Sequence, residues 1–217
     1  MRFEKKFLVE SYLINNIRAF LHSNLFYNSF PDRKVNSIYY DNQEYSLLND
    51  SLEGISNRTK MRIRFYDNNS NEAFFENKIK FGELGIKKTK SLTEINNCNQ
   101  NLEIQFKSSN NLNYLSIPSF IDNVYIPQII IEYRRGYYVN NSDIRVTLDN
   151  EIRFSKIYKE QGLNIEPVYI PFEFSIVEIK YESDHDYHPE IISLLGSQFN
   201  LVLTACSKYS FGIQRFS

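Results

Sequence analysis

Charged and apolar residues alternate in four separate stretches of this chain. They are Arg2-Phe3-Glu4-Lys5-Lys6-Phe7, Arg62-Ile63-Arg64-Phe65, Glu76-Asn77-Lys78-Ile79-Lys80-Phe81 and Glu178-Ile179-Lys180-Tyr181. A β-strand sends successive side chains to opposite faces, so each stretch predicts a strand with one charged face and one mostly apolar face. Arg and Lys dominate the charged faces, with single glutamates placed among them. If these strands share a sheet and the sheet curls, the basic faces converge on one space able to hold a polyanion.

The same patterning predicts the other elements. The first strand, 2–9, leads into an amphipathic helix over 10–22, where Leu13, Ile14, Ile17, Phe20 and Leu21 recur at helical spacing. A strand over 35–41 follows a loop with Pro31, and 42–56 reads as a polar connection with short helical character. Strands are predicted over 60–66, 73–81 and 85–92, with Asp67-Asn68-Asn69-Ser70-Asn71 as the turn between the first two. The Asn-rich segment 93–126 reads as one or two helices, and strands return at 128–139, 143–149 and 173–182. Pro189 suits the first turn of a helix running to Phe199, and a last strand is predicted over 207–215. There is no internal repeat and no long linker, so the expectation is a single domain over 1–217. Its class is α+β, an antiparallel sheet of about eight strands with helices packed outside.

Composition narrows this further. Net charge is only -1 over 217 residues, which argues against general nucleic-acid binding, so a basic function must come from placement of charge. Aromatics make up 15% of the chain, with 16 Tyr and 17 Phe, and this favours a sheet-rich fold. Cys98 and Cys206 lie far apart without metal-type spacing and read as reduced thiols. The N-terminal residues lack the apolar core of a signal peptide, and no run reaches the roughly 18 apolar residues that span a bilayer. The expected location is cytoplasmic.

Only seven glycines occur, none in a phosphate-cradling GxxxxGK[ST] or GxGxxG pattern. Phosphate binding would therefore fall to side chains, and the planar fork of Arg suits phosphate oxygens best. A wet sheet face accounts for any one alternating stretch, since half-exposed antiparallel strands are common. Repetition weakens that account, because like charges opposite each other repel. Further strands add Arg135, then Arg145 and Asp149, then Lys208. Cations gathered this closely imply a counter-ion that the protein does not supply. Asp184-His185-Asp186-Tyr187-His188 has metal-ligand residue types but reads as a solvated loop before a helix. His22 closes a helix, where a cation is favourable. Tyr39 and Tyr40 read as core and wall residues rather than base-stacking platforms. The stretch Gly82–Lys90, with Lys87, Lys88 and Lys90, leaves a binding-site rim and a solvated hairpin equally open.

In order along the chain, RxExKF at Arg2 to Phe7, SIYYD at Ser37 to Asp41, KMRIRFY at Lys60 to Tyr66 and ENKIK at Glu76 to Lys80 are followed by EYRRGYY at Glu132 to Tyr138, RVTLD at Arg145 to Asp149, VEIKYE at Val177 to Glu182 and SKYSFG at Ser207 to Gly212. Each motif is weak alone. Together and in this order they resemble the vacuolar transporter chaperone (VTC) domain, a branch of the triphosphate tunnel metalloenzymes related to the CYTH proteins. The resemblance implies an eight-stranded antiparallel β-barrel, a tunnel whose inner wall binds triphosphate or polyphosphate. It also implies a divalent metal, Mn2+ or Mg2+.

Carried over residue by residue, the resemblance implies catalytic roles for Arg62, Arg64, Arg135, Arg145 and Lys208. It implies substrate binding by Lys6, Lys78, Lys80 and Lys180 with Glu4 and Glu76 as acidic partners, and metal binding by Glu178. Arg135 rather than Arg134 takes the inward position. The leading functional expectation is a polyphosphate polymerase that moves the γ-phosphoryl group of ATP onto a growing chain. A tripolyphosphate or nucleoside triphosphate hydrolase, with Glu4 or Glu76 orienting water, and a non-catalytic polyphosphate-binding subunit are the alternatives. The expected partners are ATP and inorganic polyphosphate or triphosphate, with no nucleic acid, and room is left for a separate membrane subunit.

Overall fold

A computed structural model describes residues 2–82, 84–92, 101–107, 112–118, 124–158, 164–165, 167–182, 190–205 and 207–216. β1 (Arg2–Glu10) passes through one 3-10 turn (Ser11–Leu13) into α1 (Ile14–Ser23), and β2 (Tyr27–Asp41) leads to α2 (Ser46–Leu52). Three strands follow in hairpin succession, β3 (Asn57–Tyr66), β4 (Asn69–Phe81) and β5 (Leu84–Ser91). Next come β6 (Asn101–Lys107), β7 (Leu112–Pro118), β8 (Ile126–Val139), β9 (Arg145–Lys156) and the two-residue strands β10 (Asn164–Ile165) and β11 (Ile170–Pro171). β12 (Phe174–Glu182), α3 (Glu190–Phe199) and α4 (Lys208–Gln214) complete the order. The main sheet has nine strands, hydrogen-bonded in the order β1-β12-β9-β8-β2-β3-β4-β5 with β11 beside β9. This is the α+β, antiparallel-sheet fold that the alternating stretches predict.

The residues group into two compact units, and the first comprises Met1–Lys34, Tyr133–Ile152 and Pro171–Ser207. Its core takes one face of three strands: Phe7 and Val9 of β1, Val146 and Leu148 of β9, and Val177, Ile179 and Tyr181 of β12. Ile14, Ile17 and Leu21 fall on one stripe of α1 and close over that face, together with Leu195 of α3. Each such side chain contributes about 1.5–3 kcal/mol when fully buried, so the apolar half of each alternating strand fixes which way the charged half points. Leu203 bridges to Phe7, and the Thr204 amide donates to the Lys6 carbonyl at 2.9 Å, which covers the outer edge of β1.

The second unit comprises Val35–Glu132, Arg153–Ile170 and Lys208–Ser217. Ile38 and Tyr40 of β2, Met61, Ile63 and Phe65 of β3, Ala73 of β4 and Ile130 of β8 form its core. β3 and β4 are joined by Asp67 and Asn68, both at positive φ, the backbone of a two-residue hairpin turn that Asp and Asn tolerate. The turn is thus shorter than the five-residue one predicted. α2 starts where it does because of Asp41. Its fully buried carboxylate accepts from the amides of Asn42, Leu47 and Leu48 at 2.9, 3.0 and 2.9 Å and from the Tyr209 hydroxyl at 2.8 Å.

Two expectations are corrected. The segment 93–126 contains the hairpin β6–β7 where helices are expected, and β10 pairs with β6 in parallel. Apolar residues at Leu102, Ile104 and Phe106 alternate with period two, a strand signal that outweighs the helical expectation for this Asn-rich segment. Lys208 to Gln214 is a helix, not a strand. Tyr209 and Ile213 lie one helical turn apart and both are buried, which is a helical pattern that the β-propensity of Tyr and Phe obscures. Gly212 is needed there. A Cβ at this position would lie 2.6 Å from Ile129 Cδ1 and 2.9 Å from Phe154 Cδ1, both side chains fully buried. Gly212→Ala should therefore cost about 1–3 kcal/mol by overpacking, read as a melting temperature lower by roughly 2–12 °C. An unchanged or higher melting temperature would refute this packing.

The cluster at 184–188, Pro189, Cys98 and Cys206 lie outside the described residues. Among the described residues, no helix is long and apolar enough to cross a membrane.

Candidate functional site

Register sets the composition of the charged face in the second unit. Tyr39 of β2 stands opposite Arg62 of β3, which stands opposite Glu76 of β4; one step along, Ser37 stands opposite Arg64. The Arg62 fork is shared. Nε and Nη2 reach Glu76 Oε2 at 2.7 and 2.6 Å, and Nη1 donates to the Tyr39 hydroxyl at 2.9 Å. Arg64, buried, donates from Nε to Ser37 Oγ at 3.2 Å and approaches Glu76 Oε2 at 3.7 Å. Lys87 of β5 closes on the other Glu76 oxygen. Lys60, Lys78 and Lys87 are directly opposite one another across three strands, an arrangement of like charges that is unfavourable without an anion nearby.

The field of these cations shows in two titrating groups. Burial would raise the Glu76 carboxyl, but Arg62, Arg64 and Lys87 outweigh it and hold it at about 2. Burial would likewise raise the Tyr39 phenol, yet Arg62, Arg64 and Lys208 together pull it down to about 7. The Tyr39 ring stacks on Tyr209 at 5.1 Å and 5°, and Tyr209 is held by Asp41, so α4 carries Lys208 to this face on a fixed platform.

In the first unit the charged face is built from β1, β12, β9 and the end of β8. Glu4 pairs with Lys180 and Lys6 with Glu178 across β1 and β12, while Glu178 stands opposite Thr147 and Lys180 opposite Arg145 across β12 and β9. Lys6 Nζ lies 2.7 Å from Glu4 and 3.5 Å from Glu178; Lys180 bridges the same two carboxylates, at 3.8 Å from Glu4. Arg135 makes a two-pronged bond to Asp149, Nε to Oδ1 at 2.6 Å and Nη2 to Oδ2 at 2.7 Å. Burial acts to raise the Glu178 carboxyl, but Lys6, Lys180 and Arg135 prevail and keep it well below the usual carboxylate range. It is ionised at neutral pH.

Taken as a whole sequence, the chain matches the family model of the VTC domain over residues 1–217. The chain belongs to the VTC domain family. No curated protein matches it. Among solved structures, it is similar to a candidate adenylate cyclase of Vibrio parahaemolyticus, with a TM-score of 0.53 at 12% identity, covering 95% of this chain and 94% of that one. That likeness shows a shared fold. A protein of Pyrococcus horikoshii OT3 follows at a TM-score of 0.48 and 12% identity, covering 98% of this chain and 99% of that one. A candidate adenylyl cyclase of Hippeastrum with a dominant triphosphatase activity stands at 0.46 and 12%, covering 99% and 96%.

Within this VTC domain, the structure distributes the predicted site residues over both units. Lys6, Glu4, Arg135, Arg145, Glu178 and Lys180 share the face of the first unit, and Arg62, Arg64, Glu76, Lys78, Lys80 and Lys208 belong to the second. Arg145 is exposed; Arg134 is turned to solvent beside Asp32 at 3.8 Å, whereas Arg135 is largely buried on Asp149. Of the β5 lysines, Lys87 lies on the arginine face, and strand alternation sends Lys88 and Lys90 to the other. The expected lack of internal counter-ions is corrected: Glu76, Glu178 and Asp149 each sit in ion pairs.

Among the described residues, no group of three or more His, Cys, Asp or Glu side chains is placed to hold a metal. Glu178 and Glu4 make a two-carboxylate set of hard oxygens, which fits an ion of the Mg2+ type that takes its remaining ligands from phosphate and water. The sequence alone does not mark Tyr39, Tyr209 and Asp41 as site residues. The usable signal was parity: Tyr39 alternates with the core residues Ile38 and Tyr40 and so must share a face with Ser37.

The VTC domain's low Tyr39 value has a measurable consequence. Its folded value lies below the ordinary 10.0, so its contribution to stability is present at high pH and is lost as pH falls through about 7. Phenolate absorbance of the wild type should show a one-tyrosine step near pH 7 that Tyr39→Phe lacks. Identical titration curves for the two proteins would refute the cationic field assigned to this face.

Proposed function

We propose that this VTC domain is a polyphosphate polymerase. The observation that carries the reading is the crowding of Arg62, Arg64 and Lys208 on one buried phenol, strong enough to bring Tyr39 down to about 7. A site with that field binds a polyanion through side chains, and phosphoryl transfer asks mainly for positioning and charge stabilisation. In the reaction, a terminal phosphate oxygen of the growing chain attacks the γ-phosphorus of ATP. The new P–O bond forms as the bond to the leaving ADP breaks, and the chain is one phosphate longer. In the second unit Arg62, Arg64 and Lys208, with Lys78 and Lys80, are the groups proposed to hold phosphate; in the first unit they are Arg135 and Arg145, with Lys6 and Lys180. Glu178, kept ionised, with Glu4 beside it, would hold a divalent metal, Mn2+ or Mg2+, which neutralises charge on the phosphate oxygens.

A hydrolase of triphosphate is the second reading, and Glu4 is the residue that favours it. Glu76 has Arg62, Arg64 and Lys87 on its carboxylate and a value near 2, so it is a poor group to orient water. Glu4 keeps about a third of its side chain exposed, at 32%. Incubation with γ-labelled ATP and Mn2+ separates the readings: label in long chains supports the polymerase, whereas label released as orthophosphate moves the protein to the hydrolase. No turnover, with polyphosphate still bound, would leave a binding subunit.

A further inference from the structure

Three rows of side chains cross β1, β12 and β9 on the charged face of the first unit. They run Glu4, Lys180, Arg145; then Lys6, Glu178, Thr147; then Leu8, Ile176, Asp149. The charged neighbours of Thr147 are accounted for inside the protein on two sides. Glu178 is bridged by Lys6 and Lys180, and Asp149 is bonded by Arg135. Thr147 itself is not satisfied: its hydroxyl oxygen is buried and has no hydrogen-bond partner among the described residues. A buried hydroxyl left unpaired is costly, and valine would fill the same strand position without that cost. The unpaired hydroxyl therefore points to something absent from the folded chain alone.

We infer that the Thr147 hydroxyl is a further contact of this site, donating a hydrogen bond to a phosphate oxygen of bound triphosphate or polyphosphate. The inference rests on the phosphate-binding reading above. A phosphate oxygen is the acceptor the place selects. Arg145 stands exposed two residues before Thr147 on the same face and draws an anion there, while Glu178 and Asp149 already accept from cations. A neutral hydroxyl adds what those cations do not, a directional donor without added positive charge.

The test is calorimetric binding of tripolyphosphate to the full chain, in EDTA and in Mg2+, for the wild type, Thr147→Val and Thr147→Ser. Loss of a hydrogen bond to a charged group should weaken binding by Thr147→Val roughly 10- to 100-fold in both buffers. Thr147→Ser keeps the hydroxyl and should stay within roughly threefold of wild type. The Val variant should melt no lower than wild type, since no bond inside the protein is lost. Wild-type affinity in Thr147→Val overturns the inference and leaves the phosphate-binding reading in place. Weakening confined to Mg2+ also overturns it, by making the hydroxyl a metal contact. A clear drop in the Val variant's melting temperature does so too, by giving the hydroxyl a structural partner. Absence of tripolyphosphate binding in the wild type overturns both.

Discussion

Arg62→Ala is expected to abolish turnover of γ-labelled ATP while leaving the chain folded. Arg62 stands at the centre of its face, with Glu76 on one side and Tyr39 on the other. Its fork is fixed before any ligand arrives, and a preorganised cation of this kind is what phosphoryl transfer uses. Removing one such donor costs about 10²- to 10³-fold in rate, and an arginine aimed at the transferring group about 10³- to 10⁵-fold. A loss of at least about 10³-fold is therefore the expected result. Stability should barely move, because Glu76 keeps Lys87 and Arg64. One cation fewer in the cluster relieves repulsion and offsets the bond lost to the Tyr39 hydroxyl, so the melting temperature in phosphate-free buffer should be equal or higher. The same variant should move the Tyr39 titration upward, since Arg62 is the first of the cations pulling it down. Wild-type turnover in Arg62→Ala would sink the assignment of this face.

Asp149→Ala should produce the largest loss of stability. Asp149 is fully buried, and the Arg135 side chain that it binds is only 14% exposed. Burial alone would favour the uncharged guanidine, but Asp149, with Tyr133 and Glu178, keeps Arg135 charged. Deleting the carboxylate leaves that charge buried with its closest partner gone, which typically costs about 3–5 kcal/mol. For a chain of this size the melting temperature should fall by roughly 6–20 °C. The double variant Arg135→Met/Asp149→Ala should recover part of the loss, because neither charge is then stranded. A melting temperature for Asp149→Ala within about 2 °C of wild type would show that the pair is not the anchor that its geometry suggests.

The strands that carry these groups were readable from the chain because their alternation is local. Arg62, Arg64, Glu178 and Lys180 each sit two residues from a like-facing charge, and the intervening Ile63 and Ile179 are fully buried. Period two states both the element and the face. Partnerships were less readable, since they depend on register between distant segments. Nothing near Arg135 in sequence says that Asp149 will meet it, and nothing near Tyr39 says that Arg62 will. Lys208 was placed on a strand by residue preference, whereas burial of Tyr209 and Ile213 with Gly212 packed on Ile129 and Phe154 makes it the first residue of a helix. Thr147 carried no signal at all in sequence, because its meaning lies in a bond that is not made.

The pairing of β1 also fixes when this protein can become itself during synthesis. Arg2 to Glu10 hydrogen-bond to Phe174–Glu182, and the outer edge of β1 is covered by Leu203 and Thr204. During synthesis Glu4 and Lys6 therefore lie on a strand that has no mate until residues 174–182 have been made. The closure of so long a loop comes last and slowly. Glu4 and Lys6 are made long before the strand that pairs with them, and they reach their native places only once it arrives.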